Sequence, residues 1–212
     1  MRFVAVVPAA GLSSRMGSFK PLMDLNGKAL ICRTLNSLRA GGAEKICVVT
    51  GHRAEELEAA IAAPDVCFVR NPDYASTGML ESVQLGLKAI FPELSEGRRN
   101  TAEPTSYGAI FILPGDIPLV CPETMQALKS AAKGGAQIVR PSHNGRAGHP
   151  VLLSQKTAYE LLSYTGPDGL RGFLKGHLPE TIFVETDDSA IHADADTPEE
   201  CCRLSGLRNT AQ

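Results

Sequence analysis

No CxxC pair occurs among the six cysteines of this chain, Cys32, Cys47, Cys67, Cys121, Cys201 and Cys202. A zinc site or a disulfide framework would use paired or regularly spaced cysteines, so reduced thiols, mostly buried in apolar segments, are expected instead. No apolar stretch reaches the length of a membrane span, and the opening MRFVAVVPAAG has too short an apolar run for a secretory signal. The expected address is the cytoplasm. Charge of neither sign dominates: 21 Lys and Arg stand against 23 Asp and Glu, a formal net charge of -2. A nucleic-acid surface normally needs a clustered excess of cations, so neither nucleic acid nor membrane is an expected partner. Two phosphate-binding fingerprints are also missing. Five residues separate Gly11 from Gly17 and the lysine arrives three positions later, which breaks P-loop spacing, and no G-x-G-x-x-G is present. The second absence disfavours a dinucleotide-dependent oxidoreductase. No Ser/His/Asp or Cys/His arrangement suited to nucleophilic catalysis stands out.

What is present is a chain of 212 residues, 43% of them hydrophobic, enough for one sizeable core and one domain spanning 1–212. Short apolar, β-branched runs alternate with amphipathic stretches. That pattern predicts an α/β fold, three-layered and doubly wound, with a mostly parallel central sheet. The expected strands are Phe3–Val7, Lys45–Thr50, Val66–Val69, Gly108–Leu113, Ala136–Arg140, Val151–Leu153 and Thr181–Glu185. The expected helices are Ala29–Gly42, which should stop on its terminal glycines, Arg53–Ala63, Gly78–Phe91, Pro122–Gly135, Gln155–Ser163 and Thr197–Leu207. Pro122 and Pro198 sit in first turns, where a missing N–H is no loss. The polar stretch Pro92–Ser106 has no periodicity and reads as a surface loop.

Directly after the first strand comes PAAGLSSRMGSFK, Pro8–Lys20. It falls on a strand-to-helix connection at the carboxyl edge of the sheet, where open α/β sheets bind ligands. Its small residues allow backbone N–H groups to approach phosphate oxygens, and Arg15 and Lys20 add two charges. From composition alone, a solvated flexible loop fits equally well. The string A-A-G-x-S-x-R-M-G-x-x-K resembles the signature of NTP transferases of the molybdenum cofactor cytidylyltransferase type, a group with a Rossmann-like nucleotidyltransferase fold. The resemblance implies that Pro8, Ala9, Ala10 and Gly11 meet the base and ribose. It implies further that Ser14, Arg15 and Gly17 meet the β- and γ-phosphates and that Lys20 meets the α-phosphate.

Further segments carry the resemblance in chain order. LPGDIPLV (Leu113–Val120) ends the fourth apolar strand with Asp116, which on its own reads as a turn residue or helix cap. HADADTPEECCRL places Asp194 and Asp196 before a helix that Asp196 or Thr197 could simply cap. The resemblance implies that Asp116 and Asp196 hold Mg²⁺, the expected cofactor, with Asp194 turned to the other side by alternation. NPDYASTGMLES (Asn71–Ser82) resembles the family segment in which Gly78, Met79 and Ser82 face the base; read bare, it is a helix start capped by Thr77 with Glu81 nearby. RPSHNGRAGHPVLL resembles the family's G-H-P at the acceptor pocket. It sets His149 beside Arg140, His143 and Arg146, an expected anion-binding wall. GPDGLRGFL resembles a G-D-x-G-x-R loop, with Pro167 where an acid is usual and Asp168 one place on, so Arg171 matches better than Asp168.

The implied reaction is nucleotidyl transfer to a phosphorylated acceptor, molybdopterin in this family, with pyrophosphate leaving and a recipient molybdoenzyme as a further partner. PAAG resembles the cytidylyl-type members, where guanylyl-type relatives read L-A-G-G, so CTP is the expected nucleoside triphosphate. An NTP loop does not fix the acceptor, so a sugar phosphate or other phosphoester suits the same pattern. A non-catalytic carrier of the cofactor would need no Mg²⁺ carboxylates.

Overall fold

An unbroken apolar run such as FVAVV suits a strand covered on both faces, and the fold uses it in that way. The computed structural model describes residues 1–12, 19–92 and 107–193. Within them, eight strands form one mixed sheet: β1 (Arg2–Pro8), β2 (Ala43–Thr50), β3 (Val66–Arg70), β4 (Tyr107–Ile112), β5 (Ile138–His143), β6 (Arg146–Ala147), β7 (Val151–Ser154) and β8 (Thr181–Glu185). Their order is β3-β2-β1-β4-β7-β5-β6, with β8 pairing β5. The pairs β1–β2, β1–β4, β2–β3 and β5–β8 are parallel, whereas β7 runs antiparallel to both β4 and β5.

Among the described residues six α-helices flank the sheet: α1 (Leu30–Ala40), α2 (Ala54–Ile61), α3 (Met79–Ile90), α4 (Pro122–Lys133), α5 (Gln155–Leu162) and α6 (Gly169–Gly176). Strand alternation divides β1 between two cores. Phe3, Ala5 and Val7 join α1, α2 and α4 through Leu35, Leu57 and Leu128. Val4 and Val6 face the other way, onto α3, α5 and α6 through Val83, Leu161 and Phe173. This is the Rossmann-like, three-layer arrangement expected from the alternating pattern.

Topology places the site. The chain leaves β1 outward through β2 and β3 and then returns to β4 on β1's other side, opening a crevice at the carboxyl ends of β1 and β4. Backbone bonds continue past β4 into the next loop, from Leu113 N–H to Val6 C=O at 3.2 Å and from Gly115 N–H to Pro8 C=O at 3.1 Å. Because β7 is reversed, with Val151 opposite Ile112, the residues just before it also lie at this edge.

Several expectations hold. α1 stops on Gly41 and Gly42, the latter at φ 81°, and Pro122 opens α4. Cys32, Cys47, Cys67 and Cys121 are free thiols, though of these only Cys47 is buried and the other three are half-buried. No helix among the described residues is long and apolar enough to cross a membrane. Other readings change. The segment taken as a G-D-x-G-x-R loop winds into α6: its glycines are poor helix formers, yet Leu170, Phe173 and Leu174 at i, i+3 and i+4 bury one stripe. β5 starts at Ile138 and runs on to His143, where Asn144 and Gly145, both at positive φ, turn it into the short strand β6. α3 is capped by Gly78, not Thr77, because the Glu81 carboxylate accepts from the Gly78 N–H at 2.8 Å while Thr77 Oγ1 donates to the Asp73 carbonyl. Asp194, Asp196, Cys201, Cys202 and the expected helix Thr197–Leu207 lie outside the described residues, as does all of the expected surface loop except Pro92.

The approach of α3 to the sheet is set by Gly86, where a Cβ would come 2.5 Å from Val6 Cγ1 and 3.0 Å from Val49 Cγ2. Alanine is the better helix former, by roughly 1 kcal/mol, but here its methyl group has no room. Gly86→Ala is therefore expected to destabilise the fold by about 1–3 kcal/mol, read as a lower urea midpoint. A stabilised variant would show that the helix and sheet can separate freely.

Candidate functional site

The chain enters the site at Phe19, which is buried beneath two residues of the loop after β2. The His52 ring meets it edge-on at 5.7 Å between centroids, and the Arg53 guanidinium lies 5.0 Å above its face. A short 3-10 turn, Lys20–Leu22, follows and buries Lys20 to 6% exposure. An ammonium group taken out of water needs a partner of opposite charge. Lys20 Nζ donates to Asp116 Oδ2 at 2.9 Å. Two residues singled out far apart in the sequence thus meet at the β1/β4 crevice.

The loop carrying Asp116 is fastened from below by α1. Thr34 Oγ1 donates to the Gly115 carbonyl at 3.0 Å and Ser37 Oγ to the Pro118 carbonyl at 3.1 Å. The Asp116 side chain keeps 33% exposure. Among the described residues no group of three or more His, Cys, Asp or Glu gathers as a metal centre. Magnesium typically takes one or two carboxylates and completes its shell with phosphate oxygens and water, so one hard, partly exposed carboxylate beside a lysine fits that ion. Ser14, Arg15 and Gly17, like Asp194 and Asp196, lie outside the described residues.

Pro8, Ala9 and Ala10 are pinned by their neighbours. The Pro8 carbonyl accepts from Gly115, Ala9 N–H donates to the Val49 carbonyl at 2.9 Å, and the Ala10 carbonyl accepts from His52 N–H at 3.2 Å. Gly51 lets this happen: a Cβ there would lie 2.7 Å from the Ala10 carbonyl and 2.9 Å from the Ala10 methyl. Gly11 is exposed, with open space where a side chain would be.

Asn71 organises the third loop. Its amide donates to Thr77 Oγ1 at 2.9 Å and to Ser82 Oγ at 3.2 Å, and its own Oδ1 accepts from Asp73 N–H. Ser82 is consequently buried at 5% exposure, its hydroxyl engaged with Asn71, whereas Met79 is 44% exposed. Gly78 and Met79 line a cavity of ≈ 770 Å³ together with Arg140, His149 and Arg171, but Ser82 does not. His143 and Arg146 do not line it either: His143 Nδ1 is bound to the Thr186 carbonyl at 2.8 Å, and Arg146 is exposed on the β5–β6 hairpin. The expected anion-binding wall is reduced to Arg140.

His149 sits where the reversal of β7 brings it. Its N–H donates to the Ile191 carbonyl at 3.0 Å, and its Nδ1 is buried without a partner. Burial, with repulsion from Arg140 second, pushes its pKa down to about 4 against the pull of the Asp116 carboxylate and of a hydrogen bond with the Ile112 carbonyl. The imidazole is neutral near pH 7. Arg140 is drawn below the usual guanidinium range by burial alone.

The sequence reading missed Asn71, Thr34 and Ser37, which hold the loops and touch no expected ligand. An Asn-Pro directly after an apolar strand was the one available signal for the first. It also missed Lys175, which lines the cavity one helical turn beyond Arg171.

Comparisons with known proteins identify the family and the fold. The MobA-like NTP transferase domain matches residues 5–182. The molybdenum cofactor cytidylyltransferase of Escherichia coli K12 is 29% identical over 197 residues, covering 92% of this chain and 91% of that protein. A nucleotidyl transferase from Methanothermobacter superposes with a TM-score of 0.76 at 25% identity, covering 96% of both chains. Rv0371c of Mycobacterium tuberculosis H37Rv shares the fold, with a TM-score of 0.76 at 23% identity over 96% of this chain and 97% of that one.

The role given to Asn71 can be measured without any ligand. Asn71→Ala leaves the buried Ser82 hydroxyl without its donor and should cost about 1–3 kcal/mol in urea unfolding. A change under about 0.5 kcal/mol, the range of ordinary surface substitutions, would show that water replaces the amide.

Proposed function

This chain belongs to the MobA-like NTP transferase family, and from that premise we propose that it transfers CMP from CTP to a phosphorylated acceptor of the molybdopterin class, releasing pyrophosphate. The observation that carries the reading is the Lys20–Asp116 pair at the β1/β4 crevice, 2.9 Å apart and reached from two different loops. The name of the Escherichia coli relative supports both the nucleotide and the acceptor class. The product would pass to a recipient molybdoenzyme in the cytoplasm.

An acceptor phosphate oxygen attacks the α-phosphorus of the nucleotide; the new O–P bond forms as the bond to the β-phosphate oxygen breaks. A phosphomonoester has a second pKa of about 6, so the attacking group is largely dianionic at neutrality and needs no general base. The neutral His149 is accordingly not asked to remove a proton. Catalysis falls to positioning and charge. Lys20, fixed by Asp116, offers its ammonium to the α-phosphate, where negative charge is shared between entering and leaving oxygens. Arg15, with Ser14 and Gly17, would hold the departing pyrophosphate. Asp116, with Asp196, would hold Mg²⁺, which supplies charge neutralisation to the phosphates when bound.

Base choice follows from the loop. The Ala10 methyl packs against Gly51, so it acts on the base by fixing the height of the Pro8–Gly11 backbone and not by filling the base site itself. A purine, being larger, needs that backbone further away than a pyrimidine does.

Two outcomes are expected. Pyrophosphate release should require both a divalent metal and a phosphorylated acceptor; Lys20→Ala should depress kcat more than it weakens NTP binding, and Asp116→Ala should abolish metal dependence together with turnover. Near-full turnover in Asp116→Ala would remove the metal assignment. In competition at equal concentrations, CTP should be incorporated ahead of GTP and ATP. Preferred GTP would overturn the base assignment, and equal use of all three would reduce the loop to a turn.

A further inference from the structure

Five arginines elsewhere in the described residues, Arg2, Arg33, Arg39, Arg53 and Arg70, are satisfied by carboxylates or carbonyls. Arg39 forks onto Asp65 at 2.6 and 2.9 Å, Arg70 onto Glu58 at 3.0 and 2.9 Å, and Arg33 reaches the Leu25 and Asn26 carbonyls. Arg140 differs. Its Nε is buried without a hydrogen-bond partner, and its terminal nitrogen reaches only the Gly148 carbonyl, at 3.5 Å. No carboxylate among the described residues pairs with it, or with Arg171 or Lys175. All three cations line the same cavity. A guanidinium withdrawn from water with its fork unfilled is the state left when the anion it was built for is not there.

We propose that the cavity between α3, β5 and α6 is a two-point anion pocket: Arg140 seats a phosphoryl group, and Arg171 with Lys175 takes a second acidic group of the same molecule. The cavity's size, ≈ 770 Å³, is that of a small-molecule site and not of a lone phosphate. Besides these three cations, the lining holds two acids, Glu81 and Asp168, the neutral His149 and a set of apolar side chains. Leu80, Leu170 and Leu174 form the buried part, and Met79 and Leu178, 44% and 48% exposed, are two of the few large hydrophobics left in water. Arg171 and Lys175 stand one turn apart on α6, so both can reach one group. Of the two acids in the lining, Glu81 is already committed to the Gly78 N–H, and Asp168, at the start of α6, forms no ion pair with Arg171 or Lys175. The ligand class is therefore a flat or apolar body with a phosphomonoester at one end and a second acid at the other. The pocket stands on its geometry alone; assigning its occupant as the acceptor of nucleotidyl transfer rests on the function proposed above.

Tungstate, a tetrahedral dianion visible by anomalous scattering, is the probe for the first point, soaked into crystals with and without CTP. It should appear within hydrogen-bonding reach of Arg140 in both, and Arg140→Gln should weaken tungstate binding in solution by about tenfold or more. Unchanged CTP affinity in that variant reports that it folds. Phenyl phosphate and 4-carboxyphenyl phosphate test the second point. Both should displace tungstate, the carboxylated compound should bind about fivefold tighter, and Arg171→Gln with Lys175→Gln should remove that advantage while leaving phenyl phosphate unaffected. Tungstate found only at the Pro8–Lys20 loop overturns the pocket. Equal affinity of the two esters overturns its second point. A protein that seats tungstate at Arg140 but transfers no nucleotide keeps the pocket and loses the acceptor assignment.

Discussion

A lysine at 6% exposure needs opposite charge close by, and a carboxylate lies 2.9 Å away. Removing one partner of a fully buried pair costs about 3–5 kcal/mol; with the Asp116 side chain 33% exposed, the cost here falls below that range. Much of the surrounding architecture serves to bring these two charges together. Thr34 and Ser37 hold the Asp116 loop against α1, and Phe19 under His52 and Arg53 anchors the segment that delivers Lys20. The β1/β4 junction aligns the two loops through the Gly115 to Pro8 backbone bond. The pair is thus the point at which sheet topology becomes chemistry.

The two faces of the site differ in how they meet charge. At the β1 end, backbone groups are already spent on one another, so the loop from Pro8 to Ala10 is held in place by its own neighbours. On the opposite side Arg140 and His149 keep buried nitrogens unfilled. A backbone fixed in advance loses little further freedom when a ligand meets it. Unfilled donors suit a ligand that completes the structure on binding.

Legibility in the sequence followed the physics of each element. Strands buried on both faces announce themselves as apolar runs, and all seven expected strands exist. Lys20, Asp116 and the loops bearing Gly78, Met79 and His149 were marked by motif, and the fold does gather them at one edge. Ser82 was misplaced because its hydroxyl answers to Asn71, eleven residues away, a pairing that no local pattern contains. α6 was hidden by three glycines in eight residues, which composition reads as loop while tertiary burial of Leu170, Phe173 and Leu174 decides for helix. The β5–β6 hairpin was written in plain terms as Asn144-Gly145, a turn signal overshadowed by the histidines and arginines around it. His143 and Arg146 fell away from the site for the same reason, since the hairpin carries them past the cavity.

The reversed strand β7 has a consequence for how such a protein can diversify. In a uniformly parallel sheet, a strand's beginning lies at the edge remote from the ligand, so each added binding residue must come from a separate crossover loop. Here a single reversal lets one contiguous stretch, from Ile138 through Ser154, leave the sheet and return beside β4 with both Arg140 and His149 in reach of the crevice. The chain before it, up to Val120, supplies the Lys20–Asp116 pair. Inheritance of the two halves can then be separated: the later stretch can be exchanged as a cassette for another ligand while the earlier one, with its register and buried ion pair, is retained unchanged.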